Sequence, residues 1–225
     1  MSIELDAAHH RLSKGDLAIH VDVGEITHQL TQDLQGLESK VAIAVKRAIK
    51  KVGTWLRTHS VREIGKALKI KQSIIRNRYH FKQRGKGNTE KLDIWVGLLA
   101  VAAHHAGKGV QGRTGTRIAG RQYKSAFIAK IYGSEERVFI RSAANKREGH
   151  FTLGDKAQKE KRRLRDARSA RHLPAGLKGR FPVEVIGIDI SEVGLEVLER
   201  YEKRLNKRYG EILQQELNYA LNIEN

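Results

Sequence analysis

Between residues 26 and 55 the apolar positions recur in steps of three and four: Ile26, Leu30, Leu34, Leu37, Val41, Val45, Ala48, Val52 and Trp55. That spacing places them on one stripe of a helix. The pattern predicts a single helix reaching His59, about 50 Å long at 1.5 Å per residue. Such a length is large for a small monomer, so part of the stripe is expected to pack against another subunit. Ahead of it, residues 17–23 alternate in polarity as a short strand does. Beyond it, Ser60 with Glu63 three residues later reads as a capping box. It would open a short helix whose apolar side is Val61, Ile64, Ala67 and Leu68. Lys69 to Gln72 forms a joint, and a second short helix carries Ile74, Ile75 and Tyr79.

The middle of the chain changes period. Phe81 ends a strand before a basic turn at residues 83–88. Leu92 to Val101 is almost continuously apolar and fits a buried strand. Residues 104–116 read as a glycine-rich loop. Tyr123 to Tyr132 and Arg137 to Arg141 flank Gly133-Ser134-Glu135-Glu136, the strongest hairpin signal in the chain. Residues 156–180 hold ten Lys/Arg against Glu160 and Asp166, with few apolar positions, and are expected to be a projecting basic loop. Val183, Val185 and Ile188 begin a last strand running to Ile190. Ser191 then caps a helix buried along Val193, Val197, Tyr201, Leu205, Tyr209, Ile212, Leu217 and Ala220. The predicted fold is α+β: a small antiparallel or mixed sheet packed against long N- and C-terminal helices, with projecting basic loops. Its parts are an N-terminal arm or strand over 1–24, one domain over 25–221 and a short tail over 222–225. The domain includes the short-helix pair 60–79 and the basic loop 156–180.

Charge sharpens this outline. The net charge is +18, but residues 1–38 and 182–225 are mildly acidic, while 39–181 carry 36 Lys/Arg against nine Asp/Glu. A field of that size favours a polyanion or an acidic protein face nearby. The chain has no cysteine, which removes disulfides and thiolate metal sites. Met1 to Leu17 has charges and histidines where a secretory signal needs an apolar run. No stretch is apolar over 18 residues, so no membrane-spanning helix is expected.

Candidate chemistry is sparse. His9-His10 and His104-His105 are adjacent pairs without the His-Glu-x-x-His spacing that sets two ligands on one helix face. Residues 107–116 lack the Gly-Lys-Ser/Thr ending of a nucleotide-binding loop. The acidic residues of the middle (Glu63, Glu90, Asp93, Glu135, Glu136, Glu148, Asp155, Glu160 and Asp166) are scattered, whereas a two-metal nuclease gathers its carboxylates. No nucleophile elbow is present. The sequence thus points to no cofactor, metal or catalytic residue. The helix pair at 60–79 would present Gln72, Ser73, Arg76 and Asn77 to a DNA groove if it read sequence. With a first helix of barely two turns and no third helix, a compact basic hairpin is the better expectation.

Taken in order, these pieces resemble the minor tail protein Z family of long-tailed phages and prophages, the tail completion proteins. The resemblance spans roughly residues 25–221. It is carried by residues 61–78, by the strand 92–99 with its glycine-rich basic loop, by the hairpin 127–141, and by Pro182-Val183-Glu184-Val185-Ile186 leading to the C-terminal helix with Glu216-Leu217. It implies a structural protein of the virion, made in the host bacterial cytoplasm and placed at the head-proximal end of the tail. It implies a homo-oligomeric ring, six-fold, stacked on tail terminator, tail tube or head-tail connector proteins around the DNA channel. No catalytic motif comes with it, and the helix pair becomes a structural element.

Phosphate contacts need charge and backbone geometry and need not read sequence. The candidates for contact with packaged DNA or a neighbouring ring are Arg162, Arg163, Arg165, Arg168 and Arg171, then Arg113, Arg117, Lys86 and Arg84. The candidates for helix packing or a subunit interface are Leu30, Leu34, Leu37, Val41, Val45, Val52, Trp55, Val197, Tyr201 and Leu205. The competing expectation is a phage-encoded, sequence-nonspecific DNA-binding accessory protein.

Overall fold

A computed structural model describes residues 6–11, 17–34, 36–85, 91–131, 135–153 and 182–222. Among the described residues, twelve strands and five α-helices make an α+β fold with antiparallel sheets and long helices toward both ends of the chain. Among the described residues no sheet closes into a barrel. The chain forms two compact units, residues 1–67, 72–99 and 191–225, and residues 68–71 and 100–190. Neither unit is a continuous stretch of the sequence.

The first unit holds a four-stranded sheet ordered β1-β2-β4-β3, from β1 (Asp6–Arg11), β2 (Leu17–Asp22), β3 (Tyr79–Arg84) and β4 (Lys91–Val96). The N-terminal arm contributes β1, which pairs with β2 over six residues. Alternation puts Leu17, Ile19 and Val21 opposite Val96, Ile94 and Leu92, all buried on one face. Helix α1 (Gly24–Asp33) follows β2, and α2 (Glu38–Leu68) lies on the buried sheet face. At Gly53 the approach leaves no room for a side chain: a Cβ there would lie 2.9 Å from the Leu92 Cδ2 methyl. Helix α5 (Ser191–Asn222) runs antiparallel to α2, as three contacts show. Arg47 lies over the Tyr219 ring, Lys51 pairs with the buried Glu216, and Glu63 meets Arg200 at 2.6 Å.

The helix expected over 26–59 is interrupted. Leu34–Leu37 breaks it, with Gly36 at φ +83°, a conformation glycine adopts without steric cost. The Glu38 side chain accepts from the Gly36 N–H at 2.9 Å and fixes the new start. Conversely, no short helix begins at Ser60. Helix α2 runs through it, because the Ser60 hydroxyl donates back to the Leu56 carbonyl at 2.6 Å and lies 2.7 Å from the Tyr79 hydroxyl. The turn comes at Lys69, with φ +51°, and only the five-residue α3 (Gln72–Arg76) follows. The short-helix pair 60–79 is thus the end of a long helix and a single turn, which removes the groove-reading geometry.

The second unit is built from short pieces. Strands β9 (Ala126–Ala129) and β10 (Arg137–Arg141) form the predicted hairpin, with Phe127 opposite Phe139. Beside β10 runs β11 (Val183–Val185), and Ala102, Phe139, Val183 and Val185 make the local core. The expected strand 92–101 stops at Val96. After a turn, β5 (Val101–Ala102) pairs with β12 (Gly187–Ile188), so the expected strand to Ile190 also divides between two partners. Helix α4 (Ser142–Glu148) ends on Gly149 in the left-handed region.

The glycine-rich segment is ordered. A 3-10 turn at Ala103–Ala106 leads to β6 (Val110–Gly112), β7 (Gly115–Ile118) and β8 (Arg121–Lys124), a three-stranded antiparallel sheet. Gly115 makes it possible: its φ is +151°, and a Cβ there would sit 2.1 Å from the Tyr123 carbonyl oxygen. The basic loop 156–180 and Lys86 lie outside the described residues.

Candidate functional site

Three of the surfaces that carry described basic residues bear on the sequence candidates. The first is the tip of the β6–β7 hairpin. Gly112 pairs with Gly115, so Arg113 and Thr114 form a two-residue turn and Arg113 is exposed at its end. Arg117, also exposed, lies further along β7 and donates from Nε to the Gln122 Oε1 at 3.3 Å. Gln111 holds this hairpin. Its amide nitrogen reaches the carbonyls of Gly112, Gly115 and Ala126 at 3.2–3.3 Å, and its Oε1 accepts from the Ile128 N–H and the Thr116 hydroxyl at 3.0 Å. One side chain therefore ties β6, β7 and β9 together. Arg113 stands on a braced support, which lowers the ordering cost of meeting an anion.

The second surface is the outer face of the four-stranded sheet. Asp93 accepts from His20 at 2.8 Å and lies 2.6 Å from the Arg84 Nε, while Lys91 meets Asp22 at 2.5 Å. Arg84 is thus engaged with a carboxylate on its own sheet. Asp22 lies below the usual carboxylate range: burial raises it, but the Lys91 ammonium and the Gly24 N–H together outweigh that.

The third surface was not foreseen, because the helix pattern had drawn attention to its apolar side. Lys46, Lys50, Arg62 and Lys66 are exposed along α2, with Thr54 and Thr58 at the intervening four-residue steps. Residues 46 and 66 are about 30 Å apart along a helix. Among the described residues none of these four cations forms an ion pair. The signal was available as two i, i+4 pairs of cations, Lys46 with Lys50 opposite the Val41–Val45–Val52 stripe and Arg62 with Lys66 further round the helix.

The helix residues separate into two groups. Val41, Val45, Val52, Val197 and Leu205 are fully buried within the unit and serve its own packing. Leu30, Leu34, Trp55 and Tyr201 are half-buried, with Trp55 edge-on to Tyr201 at 5.6 Å between ring centres. Leu37, Ile43 and Tyr219 are exposed apolar side chains toward the end where α2 begins and α5 finishes. Close to the end of α5, a groove of about 560 Å³ is lined by Leu30, Leu213, Leu217 and Leu221 with polar residues between them.

Among the described residues the carboxylates do not converge. Glu63 serves Arg200, Asp93 serves Arg84 and His20, and Glu148 accepts from Ser125. Among the described residues no three His, Asp or Glu side chains form a group able to hold a metal. His9 and His10 are successive residues of β1. His104 and His105 lie in the 3-10 turn with ring centres 4.2 Å apart. Among the described residues the most buried acidic group of the second unit is Glu184, which the sequence pattern shows only as a strand residue. It accepts from Ser142 at 2.7 Å, Thr152 at 2.8 Å and Asn145 at 3.2 Å. Arg162, Arg163, Arg165, Arg168 and Arg171 lie outside the described residues, so their position relative to these surfaces is not defined. No family model, curated protein or solved structure matches the chain.

Proposed function

We propose that this protein is a structural tail completion protein of a long-tailed phage or prophage. It forms a homo-oligomeric ring, six-fold by the family resemblance, at the head-proximal end of the tail. There it stacks on terminator, tail tube or head-tail connector proteins, and DNA passes through it. In the finer arrangement we propose, small sheets are backed by long helices and basic loops project toward the channel or the next ring. The role is positional and non-enzymatic, and it uses no cofactor.

The observation that carries this reading is the order of segments resembling the minor tail protein Z family, from the α2 end at 61–78 to the C-terminal helix. Two surfaces support it. Leu37, Ile43 and Tyr219 leave apolar area at the end of the helix pair, where a second copy would cover it. Arg113 and the α2 cations offer charge for phosphate or for an acidic ring face. The test is the mass of the purified protein in solution together with images of labelled tails. A closed oligomer at the head-proximal tip is expected; a strict monomer absent from tails overturns the reading.

The exposed α2 row favours a second reading, a sequence-nonspecific DNA-binding accessory protein. In that case free duplex DNA binds with an affinity falling linearly against the logarithm of salt, and the slope shrinks as Lys46, Lys50, Arg62 and Lys66 are neutralised. A salt series on the quadruple variant separates the readings, since a ring former assembles with or without that slope.

A further inference from the structure

A polar cleft of about 420 Å³ opens within the second unit, lined by Lys71, His104, His105, Lys108 and Arg137 together with Glu135 and Glu136. Its floor is held by the chain. Ala103 is fully buried, and the Gly107 N–H closes the 3-10 turn on the His104 carbonyl. Gly107 lies at φ +148°, and a Cβ on Gly109 would come within 2.9 Å of the Ile128 Cδ1 methyl. Glycine at both positions lets the backbone around Lys108 follow the cleft wall.

Two nitrogens in this cleft are shielded from solvent without a hydrogen-bond partner among the described residues: His104 Nδ1 and Arg137 Nε. Burying such groups unsatisfied is costly, and native proteins rarely do so without an occupant. The acidic neighbours do not fill the role. The Glu135 carboxylate is 3.8 Å from the Arg137 guanidinium, beyond hydrogen-bond length, and both Glu135 and Glu136 are exposed. Three cations and two imidazoles thus share the cleft lining with two exposed carboxylates, neither of them within hydrogen-bond length of the Arg137 Nε.

We infer that this cleft binds a single phosphate group, with Arg137 and His104 donating to its oxygens and Lys71 and Lys108 supplying charge. Arginine's planar fork suits a tetrahedral oxyanion, and lysine adds a point charge. The site stands independently of the tail reading. His104 also reports on occupancy. Burial, the adjacent His105 and the Arg137 charge hold its imidazole below the usual range, against a smaller opposing pull from Glu135. A bound anion reverses that balance by favouring the imidazolium.

The experiment follows the His104 ring proton by NMR through a pH titration of the full chain, with inorganic phosphate against chloride at equal ionic strength. We expect an upward shift of about one pKa unit, equivalent to about tenfold tighter phosphate binding by the protonated form. Arg137→Gln should abolish the response. Lys108→Gln, on an exposed loop position, should weaken it without threatening folding. Glu135→Gln with Glu136→Gln should strengthen it. Short oligonucleotides with and without a 5′-phosphate identify the source. A response to the phosphorylated form alone assigns a terminal or free phosphate, and a response to both assigns the nucleic-acid backbone. If neither inorganic phosphate nor either oligonucleotide moves His104 beyond the chloride control, or if Lys108→Gln leaves the response intact, the site is not there.

Discussion

The two units bury their backbones by opposite means. In the helix-backed unit the inner face of β2 and β4 is aliphatic, with Leu17, Ile19, Val21, Leu92, Ile94 and Val96 all at 4% exposure or less, and β3 adds Tyr79 and Phe81 beside them. Two helices of more than 30 residues lie in the same unit, and hydrogen-bonded side chains are mostly peripheral. The second unit has strands of two to five residues, and its buried apolar side chains are spread over them, with Ala102, Phe139, Val183 and Val185 forming one cluster that Phe127, Ala129, Ile131 and Leu153 rim. Such short strands cannot remove much apolar area from water. They are joined by polar knots: Gln111 across β6, β7 and β9, and Glu184 between β11, the start of α4 and Thr152. Where a long element can hold its place by area, a short one needs directional bonds.

The largest effect should come from breaking the second unit at its tightest turn. Gly115→Ala forces a Cβ against the Tyr123 carbonyl in a backbone region that side chains rarely adopt. The expected cost is about 4 kcal/mol, at the upper end for a single substitution. Hydrogen exchange should rise throughout β6, β7 and β8. Glu184→Ala comes next, because it strands three donors in a buried site. It should cost about 3 kcal/mol by denaturant melting, and Glu184→Gln less, since one acceptor oxygen remains. An equal loss from both substitutions would mean that the carboxylate's charge, rather than its geometry, holds the knot.

In the helix-backed unit the matching perturbation is a cavity. Ile94 on the central strand β4 is fully buried between Ile19 on one side and Phe81 on the other. Ile94→Ala should cost about 3 kcal/mol, the transfer of the lost methyl groups plus the void they leave. Exchange should accelerate in β2, β3 and β4. If β6–β8 accelerate to the same degree, the two units melt as one and the contrast between them is structural only.

These differences explain what could be read in advance. Alternation and helical stripes announce elements that are long and aliphatic, so β2, the β9–β10 hairpin and α5 were legible. What failed was set by single residues acting through tertiary contacts. Gly36 breaks an otherwise unbroken stripe, and Ser60 looks like a cap until Tyr79 takes up its hydroxyl. The run 92–101 spans a unit boundary without any linker composition to mark it. Gly115 and Gln111 turn a loop-like composition into a sheet. For the candidate site, Arg113 and Arg117 were legible as basic positions. The α2 cation row, the cleft at His104 and the Glu184 knot were not, because each joins residues distant in sequence or lies opposite a stronger pattern.

The smallest effect at neutral pH concerns the joint between α2 and β3. The Tyr79 hydroxyl is buried against Ser60, and burial, only partly offset by that hydrogen bond, pushes its phenol up to about 12. An unfolded tyrosine titrates near 10, so the folded state resists ionisation. Stability from this term is fully present below pH 10 and is lost as pH rises toward and through 12. Tyr79→Phe should therefore cost about 1 kcal/mol at pH 7, the value of one buried hydrogen bond. Above pH 10 the variant should lose less stability than the parent, and the two melting curves should converge. A parent that shows no extra alkaline loss relative to Tyr79→Phe would place the phenol in contact with solvent. The joint would then be held by packing without that hydrogen bond.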